Sequence, residues 1–226
     1  MLCVLIASLT IASAAMAAVL PSQRDSVIWV AQGCYTDTST SRTLASSSAA
    51  STNMTIENCI KVCSDGGYNL AGVEFADECY CDYTFQSTGI IAHSQDCNLP
   101  CSGNKNEKCG AGNYIDVYWN GHPFPVAPPT AGTYTYQGCY ADNVNGRALP
   151  HQQAVANATV DKCTAACKDA GYNVAGLEAG RECWCNLQLP STPKLNDNAC
   201  ATACTGNTNQ LCGGTSKLTV YSAIVL

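Results

Sequence analysis

Thr55-Ile56-Glu57-Asn58-Cys59-Ile60-Lys61-Val62-Cys63, then Gly67-Tyr68-Asn69-Leu70-Ala71-Gly72-Val73-Glu74, then Glu78-Cys79-Tyr80-Cys81, is the run that decides the fold. Ile56, Cys59, Ile60 and Cys63 fall at i, i+3, i+4 and i+7, a helical stripe that puts both thiols on one buried face. Thr55 is placed to cap that helix and Gly66-Gly67 to stop it. A short apolar strand, Leu70 to Phe75, follows, and a second strand carries Cys79 and Cys81. Side chains alternate along a strand, so these two thiols share a face and Tyr80 takes the other. The helical C-x₃-C is therefore expected to be bridged twice to the strand C-x-C, each bridge contributing ~2–4 kcal/mol. The spacing leaves open which helix thiol takes which strand thiol.

The same run occurs again about 104 residues later. Thr159, Val160, Cys163, Thr164 and Cys167 repeat the helix, which closes at Gly171; Val174 to Ala179 repeats the first strand, and Cys183-Trp184-Cys185 the second. Upstream, Gln32-Gly33-Cys34-Tyr35 recurs as Gln137-Gly138-Cys139-Tyr140, and downstream Cys97, Cys101 and Cys109 recur as Cys200, Cys204 and Cys212. The chain is a tandem duplication. Between the copies, Pro123, Pro125, Pro128 and Pro129 forbid a helix and predict a semi-rigid extended spacer. Each copy is then about 90 residues, a size at which a hydrophobic core alone is marginal and cross-links become necessary.

Residues 1–17 carry no charge, are rich in Leu, Ile and Ala, and end in Ala15-Met16-Ala17, which predicts a cleaved secretory leader. Cys3 lies within it, leaving sixteen of the 17 cysteines, the density of an extracellular disulfide scaffold. Zinc is disfavoured because the spacings are C-x₃-C and C-x-C with no recurring histidine. Eleven basic against 17 acidic side chains argue against nucleic acid or an anionic membrane as partner. Past the leader no apolar run is long enough to span a bilayer; Leu218 to Leu226 is too short.

C-Y, C-x₃-C, G-Y-N-x-A-G-x-E, E-C-x-C and the late C-x₃-C-x₇-C together resemble the WSC domain, present twice over nearly all of the mature chain. The first copy departs from the family's usual pattern in having Tyr80 where the second has Trp184. The resemblance implies an α+β fold related to PAN/apple domains, a helix packed on an antiparallel sheet, with modules at 29–119 and 133–223 and a linker at 120–132. It also implies the pairings Cys34–Cys97, Cys101–Cys109, Cys139–Cys200 and Cys204–Cys212. Fungal members are credited with binding β-1,3-glucan or related wall glycans; animal members use the fold amid protein contacts, so the fold alone does not settle the ligand.

Nothing in the sequence assembles a catalytic constellation: there is no G-x-S-x-G, no H-E-x-x-H and no phosphate-binding glycine loop. His93, His122 and His151 are expected in loops and the linker, and Glu74, Glu78, Glu178 and Glu182 as sheet-edge or hydrogen-bonding residues rather than a glycosidase pair. Sugar binding calls for aromatic faces ringed by amides and hydroxyls. The candidates are Trp29, Tyr35, Tyr68, Asn69, Tyr80, Tyr134, Tyr140, Tyr172, Asn173 and Trp184. Strand alternation sets Trp29 and Tyr35 opposite Cys34, and Tyr134, Tyr136 and Tyr140 opposite Cys139; Tyr80 and Trp184 are favoured because cysteine geometry turns them away from the helix. Asn53-Met54-Thr55 and Asn157-Ala158-Thr159 offer N-glycosylation at Asn53 and Asn157, although each Thr also serves as a helix cap. The expectation is a secreted, non-catalytic protein, without metal or cofactor, that binds cell-wall polysaccharide. The alternative is a protein-interaction or structural component of the wall or extracellular space.

Overall fold

The helical stripe forms where the cysteine spacing requires it. In the structure, a computed structural model that describes residues 28–223, helix α1 (Ile56–Asp65) starts at Thr55, whose hydroxyl accepts from the Asn58 amide at 3.1 Å. Helix α2 (Val160–Asp169) starts at Thr159, which accepts from the Lys162 amide at 3.1 Å. Gly67 and Gly171 follow in the left-handed region, φ 75° and 84°, which frees the chain to turn back. The leader assigned to residues 1–17 lies outside the described residues.

The first copy contributes β1 (Val30–Thr36), β2 (Ser47–Ala50), β3 (Leu70–Glu74), β4 (Glu78–Asp82) and β5 (Tyr114–Trp119), an antiparallel sheet in the order β1-β5-β3-β4-β2. The second contributes β6 (Thr130–Ala131), β7 (Tyr134–Ala141), β8 (His151–Gln153), β9 (Val174–Glu178), β10 (Glu182–Asn186), β11 (Lys194–Leu195), β12 (Ala203–Cys204), β13 (Asn207–Leu211) and β14 (Lys217–Ala223). Its main sheet runs β11-β7-β14-β9-β10-β8 with β6 on β7, and β12 pairs with β13 separately. Together with the two α-helices and eight disulfides found among the described residues this is an α+β disulfide-rich fold. The apolar strands end one residue early, at Glu74 and Glu178, because Phe75 (φ 50°) and Ala179 (φ 51°) begin left-handed turns.

Tertiary packing decides the pairing that spacing left open: Cys59–Cys79 and Cys63–Cys81, repeated as Cys163–Cys183 and Cys167–Cys185. The other bridges are Cys34–Cys97, Cys101–Cys109, Cys139–Cys200 and Cys204–Cys212, as the resemblance implied. Each sheet has two packed faces. The helix side holds the staple with Ala71, Val73, Ala175, Leu177 and Tyr221; the far side holds Leu44, Leu70, Ile115 and Val117, or Leu149, Val174, Leu218 and Val220. Gly176 admits this second layer, since a Cβ there would lie 2.5 Å from Leu149 Cδ1.

Two bulges overturn part of the expected aromatic placement. Gln32 is an extra residue between the Ala31–Tyr118 and Gly33–Val117 pairs, and Gln137 between Gly138–Val220 and Tyr136–Tyr221. Gly33 (φ 105°) and Gly138 (φ 120°) make the kink possible, and each bulge flips the side chains before it to the other face. Trp29 therefore packs on the helix side while Tyr35 packs on the far side, and Tyr134 and Tyr136 separate likewise from Tyr140.

The proline-rich segment is extended but not free. Val126 N–H donates to Asn209 O at 3.1 Å and Leu211 N–H donates to Val126 O at 3.0 Å, so the linker runs beside β13 of the second copy. Pro128 O accepts from Tyr221 Oη at 3.0 Å, and Pro123 O from Asn69 Nδ2 at 3.1 Å in the first copy. Among the described residues no helix is long and apolar enough to cross a membrane.

Candidate functional site

On the far face of each sheet one arginine gathers two carboxylates and an aromatic ring. Alternation puts Glu182 and Trp184 of β10 on that face, and Glu178, paired with Glu182 across the hairpin, joins them. Arg147 Nη1 donates to Asp142 Oδ2 at 2.6 Å and to Glu178 Oε2, and its guanidinium lies 4.0 Å from the centre of the Trp184 ring. Trp184 Nε1 donates to Glu182 at 3.0 Å. The first copy repeats this: Arg42 donates to Asp37 and, at 2.6 Å, to Glu74, and lies 4.2 Å over Tyr80, whose hydroxyl donates to Glu78 at 2.8 Å.

Trp184 and Tyr80 thus face away from the helices, as alternation required, but an arginine covers one ring face and each ring packs on the second apolar layer. They are packing residues as much as surface ones. Glu74 and Glu178 are not at a sheet edge; they end the interior strands β3 and β9 and are 4% exposed. Sequence reading missed the arginines and their aspartates. The signal was there, because charged residues form only 12% of the chain and yet Asp37, Arg42, Glu74 and Glu78 all recur as Asp142, Arg147, Glu178 and Glu182.

In each cluster one glutamate is held above the usual carboxylate range. Burial first, then the hydrogen bond to Asp142, pushes Glu178 up to about 7. Glu74 is raised by burial and then by its bond to Asp37. Burial works against Asp142 too, but amide bonds from Ala148 and Asn143 and the bond from Arg147 hold it below the usual range. Asp116 is pushed up to about 6 by burial. A carboxyl whose folded-state value exceeds its unfolded value stabilises fully below the unfolded value, ~4.3, and loses that contribution as pH rises through the folded value. The melting temperature is therefore expected to be highest near pH 5 and to fall by pH 8, with Glu178→Gln removing the second copy's share. A flat profile over that range would show that both carboxylates are ionised throughout.

The remaining candidates separate into three groups. Tyr134 is 2% exposed, inside the second core with its hydroxyl on Tyr172 O, so it has no face to offer a sugar. Trp29, Tyr35 and Tyr140 are half-buried against their cores, Tyr35 tilted against Phe85 with ring centres 4.9 Å apart. Tyr172 stacks on His151 at 4.8 Å, beside exposed Asn173; His151 lies in β8, not in a loop. Asn53 and Asn157 are exposed, and the threonines of both sequons are the helix caps.

Tyr68 and Asn69 are brought together with residues the repeat did not flag. Tyr68 packs at a tilt against Tyr83, ring centres 4.8 Å apart, and, with Asn69, lines a recess of about 700 Å³ whose walls include Asn120, Phe124 and, from the second copy, Thr208 and Asn209. No carboxylate lines it. Tyr83 has Leu187 as its counterpart, and Phe124 lies in the linker, so internal repetition gives no sign of either.

The WSC domain family matches residues 31–111 and 136–214. Two proteins of Arthroderma benhamiae named as WSC domain-containing are similar, one 36% identical over 94% of this chain and the other 34% over 85%. The chain spans about a quarter of the length of each, 26%. A Chaetomium globosum protein named as a fungistatic metabolite is 33% identical over 84% of this chain and 90% of its own length.

Proposed function

The chain belongs to the WSC domain family, a cell-wall-associated carbohydrate-binding type of module, and from that premise we propose that it is a secreted, non-catalytic protein that binds a neutral wall polysaccharide, β-1,3-glucan or a close relative. The observation that carries the reading is the recess at Tyr68, where the Tyr68 and Phe124 rings and the Asn69, Asn120 and Asn209 amides share one lining without a carboxylate. Aromatic faces take the C–H surface of a pyranose and amides take its hydroxyls. The carboxylates a glycosidase would need are instead held by Arg42 and Arg147, with Glu74 and Glu178 buried. Sixteen bridged cysteines and two WSC modules suit an extracellular or wall location.

Sedimentation with insoluble β-1,3-glucan, chitin, xylan and cellulose tests this. Retention on glucan is expected, persisting in 1 M salt because the contacts are uncharged, with no new reducing ends released. A chain that stays in the supernatant with all four, yet captures a wall protein, is the interaction component and not a lectin.

A further inference from the structure

The recess at Tyr68 does not stop at the first copy. It shares Tyr68 and Thr208 with a larger groove of about 820 Å³ between the copies, walled on one side by segments around Ser41 and Ser87 and on the other by segments around Thr202 and Thr215. In a chain with 17 acidic side chains, no Asp or Glu lines either space; Arg42, already held by Asp37 and Glu74, lines the larger groove with Arg181 and Lys217, but hydroxyls outnumber these cations on both walls, and the Tyr68–Tyr83 pair stands where the two spaces meet.

The walls are held in place. Asp82, fully buried, accepts from the Ala45 amide at 2.8 Å, Ser46 Oγ at 2.7 Å, the Tyr83 amide at 2.7 Å and Gln86 Nε2 at 2.9 Å, fixing two segments of the first wall to one carboxylate. Gln86 Nε2 also reaches Ala201 O of the second copy at 3.4 Å. The linker is bonded to the first copy at Pro123 and to the second at Val126 and Pro128, which ties the copies together, so the groove is formed before any ligand arrives and little ordering cost remains at binding.

We propose that the two copies form one composite groove in which a single uncharged polysaccharide strand lies against both at once, giving the chain one glycan site and not one per module. This rests on the carbohydrate-binding reading above and deepens it. The duplication then serves to make two unlike walls: Tyr83 and Phe124 from the first copy and linker, and the Thr202–Thr208 hydroxyls from the second.

Titration calorimetry of the full chain with a β-1,3-linked glucan hexasaccharide, paired with sedimentation on insoluble glucan, decides it. One hexasaccharide per chain is expected. Ser87→Trp, at an exposed groove position, should fill the space and weaken both readouts roughly tenfold or more while leaving the melting temperature unchanged, and Tyr83→Ala should weaken them comparably. Two equivalent hexasaccharides per chain, or full retention of Ser87→Trp on insoluble glucan, would overturn the composite groove while leaving carbohydrate binding intact. A wild-type chain that binds no glycan in either assay removes the functional reading itself, and the groove with it.

Discussion

Treated with a strong reductant, the protein is expected to lose its fold completely, with loss of near-ultraviolet dichroism and appearance of sixteen thiols between Cys34 and Cys212. Each copy is closed by four bridges spanning 63 or 61, 20, 18 and 8 residues. On a chain-entropy basis these contribute from about 2.5 kcal/mol for the shortest loop to about 4 for the longest. Their sum rivals the whole stability of a domain, ~5–15 kcal/mol. The cysteines are also the core itself, since Cys59, Cys63, Cys79, Cys81, Cys101 and Cys109 fill the helix side of the first sheet. Reduction replaces those bridged sulfurs with thiols that no longer tie helix to strand. Thiol titration of the denatured, unreduced protein should find none of these sixteen free; several reactive thiols, or a cooperative melting transition that survives reduction, would contradict the framework.

Replacing Arg147 with Met is expected to cost ~3 kcal/mol, read from the midpoint of chemical denaturation, because it leaves Asp142 and Glu178 buried together without a cation. The contact over Trp184 adds about 1 kcal/mol to that loss. Arg42→Met should behave alike in the first copy, and the double substitution should be close to additive because the clusters share no partner. Trp184→Ala belongs with them: strand alternation alone suggested a surface ring, whereas the ring packs on Leu149 and its neighbours, so truncation should lower stability by ~3 kcal/mol. An Arg147→Met protein within about 0.5 kcal/mol of wild type would mean that protonation of Glu178 alone relieves the pair.

The sequence by itself determined the duplication, the two helices with their threonine caps, the far-side orientation of Tyr80 and Trp184, and the existence of a double staple. All of these are local: they follow from periods of 3.6 and 2 and from a repeated spacing, which act within a few residues of chain. The structure decided what depends on approach across the chain. Register chose Cys59–Cys79 and Cys63–Cys81, since only the depth of α1 against β4 says which sulfurs meet. The bulges at Gln32 and Gln137 reversed Trp29, Tyr134 and Tyr136, because one extra residue flips every side chain before it and leaves the composition unchanged. Arg42 and Glu74 are 32 residues apart, joined by a fold that brings the turn after β1 over the end of β3. The groove lay furthest from view. A search by repetition finds what both copies keep, whereas a surface made between the copies is built from what differs: Tyr83 opposite no second tyrosine, Phe124 in the linker, and Thr208 and Asn209 on a hairpin that the linker itself completes.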